Sequence, residues 1–167
     1  MTSCLISMSL WRVQVIPMVH DQHAITYKNV ASKLYRFLPE EINLAFEDFE
    51  ELLTKHGYHT TGEMFFAIMS NPFDELMVAE IFFVMEEDRM ELRKDENVNF
   101  RSYFFVKEMV MTRALEEFEM SSQEKFWEIL NYIKTKDQVQ TTPIFVDYKQ
   151  TTKGTTFVEM SAGMSRY

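Results

Sequence analysis

Four histidines stand in two pairs, His20/His23 and His56/His59, each with i, i+3 spacing. On a helix that spacing puts two imidazoles on one side, as a metal would need. No cysteine or acid completes either set, and the second pair straddles Gly57, a helix-stop residue beside which histidine commonly caps carbonyls. No metal and no cofactor is expected. The four glycines, Gly57, Gly62, Gly154 and Gly163, form no phosphate-cradling loop, and no serine sits in a nucleophile elbow. The chain reads as a non-enzymatic protein.

The stronger chemistry is apolar. There are 15 Phe and 13 Met against 4 Gly and 4 Pro. Phenylalanines come in pairs: Phe65-Phe66, Phe82-Phe83 and Phe104-Phe105. Neighbours on a strand point to opposite faces, so each pair supplies an aromatic to both sides of a sheet. One member belongs to a core. The other needs a cover: a ligand, a partner chain or a terminal arm. Methionine suits an adaptable surface as well as a core, so the same question attaches to Met64, Met69, Met77, Met85, Met109, Met111 and Met160.

The elements that place these residues must fit 167 residues, with 46% hydrophobic and 26% charged. That is one globular domain. A formal charge of −9 argues against nucleic acid, whose phosphates require clustered Lys and Arg. No uncharged apolar run reaches the 18 or so residues of a membrane helix. A single cysteine, Cys4, excludes an internal disulfide and suits a reducing, cytoplasmic setting. Residues 1–20 do not read as a signal peptide, because the only early basic residue, Arg12, follows the apolar run instead of preceding it; they read as an N-terminal arm, disordered or an extra strand, or as not native to the protein. Residues 21–167 form the domain.

That domain reads as two repeats, about 25–86 and 100–164. Ala31–Tyr35 and Met111–Leu115 share a pattern 80 residues apart, as do Phe46, Phe49 and Leu53 with Phe126, Ile129 and Ile133. Each half predicts strand, helix, strand, strand. In the first these are Asn29–Phe37, a helix from Pro39 to Lys55, Met64–Met69 and Met77–Met85. In the second they are Phe100–Lys107 with Met109–Phe118, a helix capped by Ser121 or Ser122, Pro143–Tyr148 and Thr155–Ser161. The charged stretch Glu86–Asn99 reads as a solvated loop or short helix. The fold class is α+β: duplicated strand–helix–strand–strand units in one antiparallel sheet, with two helices on one face. The other face is then covered or forms a groove.

The order of elements, Gly62–Phe66, Asn71-Pro72, Val78–Val84 and Phe157–Met160 resemble the gyrase-inhibitor-like, or effector-binding, superfamily over about Ile25–Met164. Asn29–Lys33 and Asp74-Glu75 with Val78–Phe82 are similar to an uncharacterised stand-alone family of Gram-positive bacteria, some of whose members lie near type VII-secreted toxin loci. The resemblance implies a groove between the halves that binds a small, apolar, cationic ligand. Its acids here would be Glu80 and Glu159, with Phe82, Phe157, Tyr103 and Tyr148 as the aromatic lining. Strand alternation puts Glu80 with Phe82 and Glu159 with Phe157 on the mixed face, and Ala79, Ile81, Phe83, Val158 and Met160 on the apolar one. Phe145-Val146-Asp147-Tyr148 loosely echoes the aromatic–acid–aromatic signature of ligand-binding members. The two acids could equally be solvated, or paired with Lys or Arg. The rival reading is a protein-interaction or accessory module that holds a partner, or a second copy of itself, on the helix-free sheet face.

Overall fold

The structure, a computed structural model, describes residues 19–114 and 118–166, and only the backbone of 118–122. The expected arm therefore lies, up to residue 18, outside the described residues, while His20 already belongs to the first strand. The elements in chain order are β1 (His20–Phe37), α1 (Ile42–Lys55), β2 (Thr60–Ile68), β3 (Met77–Met85), β4 (Val98–Ala114), α2 (Phe118–Thr135), β5 (Val139–Gln140), β6 (Ile144–Gln150) and β7 (Thr156–Ser165). Strand–helix–strand–strand order appears in each half, with the two-residue β5 added in the second. Glu86–Asn99 is a loop with one 3-10 turn at Lys94–Glu96 before β4 begins.

The expected single sheet with an open face is corrected by the pairing. The strands close into a six-stranded antiparallel barrel in the order β1, β3, β2, β6, β7, β4 and back to β1. Closure depends on two long strands that each serve two neighbours. β1 pairs with β4 through His20–Lys33 and with β3 through Val30–Phe37. β4 pairs with β1 through Val98–Met111 and with β7 through Met109–Ala114. Both strands contain a residue at positive φ, Asn29 at 56° in β1 and Glu108 at 56° in β4. Such a residue interrupts the pleat and lets a strand change direction. Hence the expected separate strands Phe100–Lys107 and Met109–Phe118 meet in one bent strand that ends at Ala114, with 115–117 outside the described residues and Phe118 already in α2, and the expected strand from Asn29 is only the second half of β1.

Both helices pack on the outside of the barrel. Ala45, Phe46, Phe49 and Leu53 of α1 and Phe126, Ile129 and Ile133 of α2 share one core with Ala79, Ile81, Phe83, Val110, Val158 and Met160. The expected all-apolar strand faces are thus the helix-side faces. α1 stops where Gly57 turns to φ 80°, and Tyr58 N–H donates to Leu53 O at 3.0 Å. α2 stops in the same way at Asp137, φ 54°, with Gln138 N–H donating to Ile133 O at 3.2 Å. Ser121 and Ser122 lie inside α2, not at its start. Serine is tolerated in a first helical turn as well as at a cap, so the residue type does not separate the two.

Candidate functional site

The helix-free face is the interior of the barrel, and aromatic rings fill it. Phe65 stacks on Phe82 with centroids 4.4 Å apart and planes 4° from parallel. Tyr27 and Phe104 lie 5.2 Å from Phe65, and Phe145 6.4 Å. Ile25, Val30, Ala67, Val84 and Met109 complete this second core.

Three carboxylates share the interior, because residues opposite each other in paired strands stand on one face. Glu80 of β3 lies opposite Ala67, and Asp147 of β6 lies between Phe65 and Glu159 of β7. Each is matched by a base. Glu80 accepts from Ser32 Oγ at 2.7 Å and from Arg101 at 3.4 Å. Asp147, 2% exposed, accepts from Tyr27 OH at 2.9 and 3.0 Å and pairs with Lys149 Nζ at 3.0 Å. Glu159 pairs with Arg113 at 3.5 Å and has His23 Nε2 at 3.7 Å. Each cation also lies over aromatic faces: Arg101 at 5.8 Å from Phe82 and 6.0 Å from Phe104, Lys149 at 4.9 Å from Tyr27, and Arg113 at 5.5 Å from Phe157.

Protonation follows from burial and these pairs. Burial raises the Asp147 carboxyl above the usual range, against the pull of Lys149 and Tyr27. Burial disfavours the Lys149 ammonium, but the Tyr27 hydroxyl and the Asp147 charge outweigh it and hold the pKa up. Burial and Asp147 likewise raise Tyr27. With these directions Tyr27 and Lys149 keep their protons near neutrality.

Of the expected lining, Glu80, Phe82, Glu159 and Phe157 share the mixed face. Glu80 and Glu159 stand on strands that β2 and β6 separate along the sheet. Tyr148 and Tyr103 stand on the opposite surface. Tyr148 packs under α1 against Phe46 at 5.7 Å and Phe66 at 6.1 Å, and burial pushes its hydroxyl up to about 12. Tyr103 is 55% exposed beside Phe105. Each is one residue out of phase with the inward residue of its strand, Asp147 or Phe104. Asp147, Tyr27, Lys149, Arg101, Arg113 and His23 were not expected as lining. The alternation Phe145, Asp147, Lys149 was the available signal for β6. Nothing local marks Tyr27 or Arg101, because their inward direction depends on the bent β1–β4 pairing. His56 and His59 pair with Glu96 at 2.8 Å and Glu87 at 2.7 Å on the surface.

At the Glu159 end, a cavity of about 500 Å³ opens beside His23, with Asp21, Lys107, Gln138, Met164 and Arg166 also in its wall. Burial lowers the His23 pKa, with Glu159 opposing and Lys149, Arg113 and His20 reinforcing the shift. The unfolded chain then binds the His23 proton more readily than the folded one. Stability should fall as pH drops through 6.5 toward the lowered folded value, and the loss is complete below it. His23→Gln should flatten the urea-unfolding stability profile between pH 7 and 5. An unchanged slope would remove His23 as its source.

A family model matches residues 26–164, and its description is a domain of unknown function, DUF5085. The chain belongs to that family. No curated protein sequence matches this DUF5085 chain. The crystal structure of the EcmrR C-terminal domain is similar, with a TM-score of 0.69 at 12% identity, covering 91% of this chain and 99% of that one. EcmrR in a cryo-EM complex with DNA gives 0.68 at 11%, covering 89% of this chain and 58% of that one. The integron cassette protein VCH_CASS2 from the Vibrio cholerae mobile metagenome gives 0.40 at 15%, covering 89% and 99%. At these identities the likeness to EcmrR shows a shared fold. Among the described residues no helix is long and apolar enough to cross a membrane, and no three His, Cys, Asp or Glu are grouped to hold a metal.

Proposed function

We propose that this chain is a non-enzymatic binding domain that sequesters or senses a small apolar cation through the inward acids of its barrel. The observation that carries this reading is the set of three carboxylates facing an aromatic interior, each matched by a cation lying over a ring. The barrel thus already stabilises positive charge next to apolar surface. A ligand would gain Coulomb attraction from an acid while its apolar body leaves water. The fold shared with the EcmrR C-terminal domain is compatible with the same reading. Strand closure encloses the helix-free face, which supports a small ligand over a partner chain or second copy seated there.

The test is a thermal-shift titration with tetraphenylphosphonium and its neutral analogue tetraphenylmethane carboxamide. Cation at ten times its Kd should raise the midpoint by about 3–5 °C, the shift expected for about 1.4 kcal/mol of linkage. Glu159→Gln should lose most of that gain, and the neutral compound should give none. Absence of stabilisation by any lipophilic cation would end this reading.

A further inference from the structure

The three internal ion pairs are not equivalent. Lys149 is held tightly, by the buried Asp147 carboxylate at 3.0 Å and by the Tyr27 hydroxyl at 2.5 Å. Arg101 is held loosely. Its Nη1 reaches Glu80 at 3.4 Å and Ser32 Oγ at 3.3 Å, and its side chain is 42% exposed. Glu80 keeps a better partner in Ser32, at 2.7 Å. Arg101 nevertheless lies against Phe82 and Phe104, two rings tilted by 59° with centroids 5.2 Å apart. Beside this group is Leu34, which faces Glu80 across the β1–β3 pair and is 58% exposed. An acid, two rings and an uncovered leucine therefore surround a planar cation that solvent can reach.

We propose, on the ligand-binding reading of this barrel, that Arg101 is a built-in competitor at a cation subsite made by Glu80, Ser32, Phe82 and Phe104. Its guanidinium fills the place of a flat, delocalised organic cation such as an aromatic amidine or guanidine. A ligand enters when Arg101 swings into solvent, its charged group against Glu80 and its apolar body toward Leu34. Ser32 Oγ holds the carboxylate in position throughout. The site discriminates by shape, because a guanidinium or amidinium is planar and weakly hydrated whereas an ammonium is compact and strongly hydrated. Affinity is reduced by the fraction of molecules in which Arg101 is seated, and removing that side chain removes the reduction.

The experiment is isothermal titration of the full chain with 2-naphthamidine, with neutral 2-naphthamide as control. Arg101→Met should bind the amidine at least tenfold more tightly than the unaltered chain. Arg101→Met with Glu80→Gln should lose that gain, and the amide should bind no variant differently. Amidine that binds Arg101→Met no more tightly than the unaltered chain overturns the competition, and if Glu159→Gln still weakens that binding, the ligand-binding reading survives alone. Amidine that binds neither chain overturns both. Near-UV circular dichroism checks that Arg101→Met is folded. The unaltered chain gives a second readout by ¹⁵N NMR: bound amidine should move the Arg101 Nε signal to the position of free arginine. Binding with no such movement overturns the proposal without any variant.

Discussion

Phe65→Ala is expected to cost about 4 kcal/mol of unfolding free energy, near the middle of the range for truncating a buried phenylalanine. Phe65 is fully buried and lies at the centre of the interior, against Phe82, Tyr27, Phe104 and Phe145. Those rings come from β3, β1, β4 and β6, so the hole left behind is framed by four strands of a closed barrel. A closed barrel cannot collapse onto a hole as an open sheet can, which favours the cavity penalty over relaxation. The midpoint of thermal unfolding should drop by roughly 8–16 °C for a domain of this size. Phe105→Ala is the control. Phe105 is 51% exposed on the outer side of β4, and its loss should stay within about 0.5 kcal/mol. Equal losses at the two positions in calorimetry would contradict the placement of the inner core.

Lys149→Met is the second large effect, expected at about 3 kcal/mol near pH 7.5, the low end for breaking a buried ion pair because Lys149 itself reaches solvent. The variant leaves the Asp147 carboxylate buried, beside Glu159 and without its cation. Burial and the Glu159 charge both raise Asp147, so its folded pKa climbs further above the unfolded value. For a carboxyl with a raised folded pKa, the penalty is full above that pKa and is relieved as pH falls through it. The stability gap between variant and unaltered chain should therefore narrow from pH 7.5 to 5 in urea unfolding. Adding Asp147→Asn to Lys149→Met should recover stability at pH 7.5, because the carboxylate left without its cation is gone. A gap independent of pH, or a double variant weaker than the single, would show that the ammonium is not what offsets the carboxylate.

Much of the local structure was legible in the residues. The spacing of Phe46, Phe49 and Leu53 and of Phe126, Ile129 and Ile133 located both buried helix faces. β3 runs over Met77–Met85 as its composition predicts, and alternation separated Glu80 and Phe82 from Ala79, Ile81 and Phe83. These features depend on neighbours within a few positions, where period and side-chain type suffice. Glu159 and Phe157 came from the same alternation together with a family resemblance. Tyr103 and Tyr148 lie on the outer surface, one residue out of phase with the inward Phe104 and Asp147, because strand phase sets direction whatever the side-chain type.

The excess of phenylalanine posed a question that the residues could state but not answer. Paired phenylalanines require two apolar environments, and strand geometry alone dictates that much. Whether the second environment was a groove, a partner surface or an interior depended on β1 pairing with β4 and β4 with β7, contacts between residues 44 (Ala114 and Val158) to 91 (His20 and Met111) positions apart. The bends at Asn29 and Glu108 accompany that closure, and glutamate carries no local preference for positive φ. Barrel closure also decided the electrostatics. It brought Arg101 to Glu80, Lys149 and Tyr27 to Asp147, and Arg113 and His23 to Glu159. Sequence determined that two apolar faces and inward acids exist; only the tertiary pairing determined that one face closes on itself and that the acids find the chain's own cations there, because charges far apart along the chain meet only where strand register brings them.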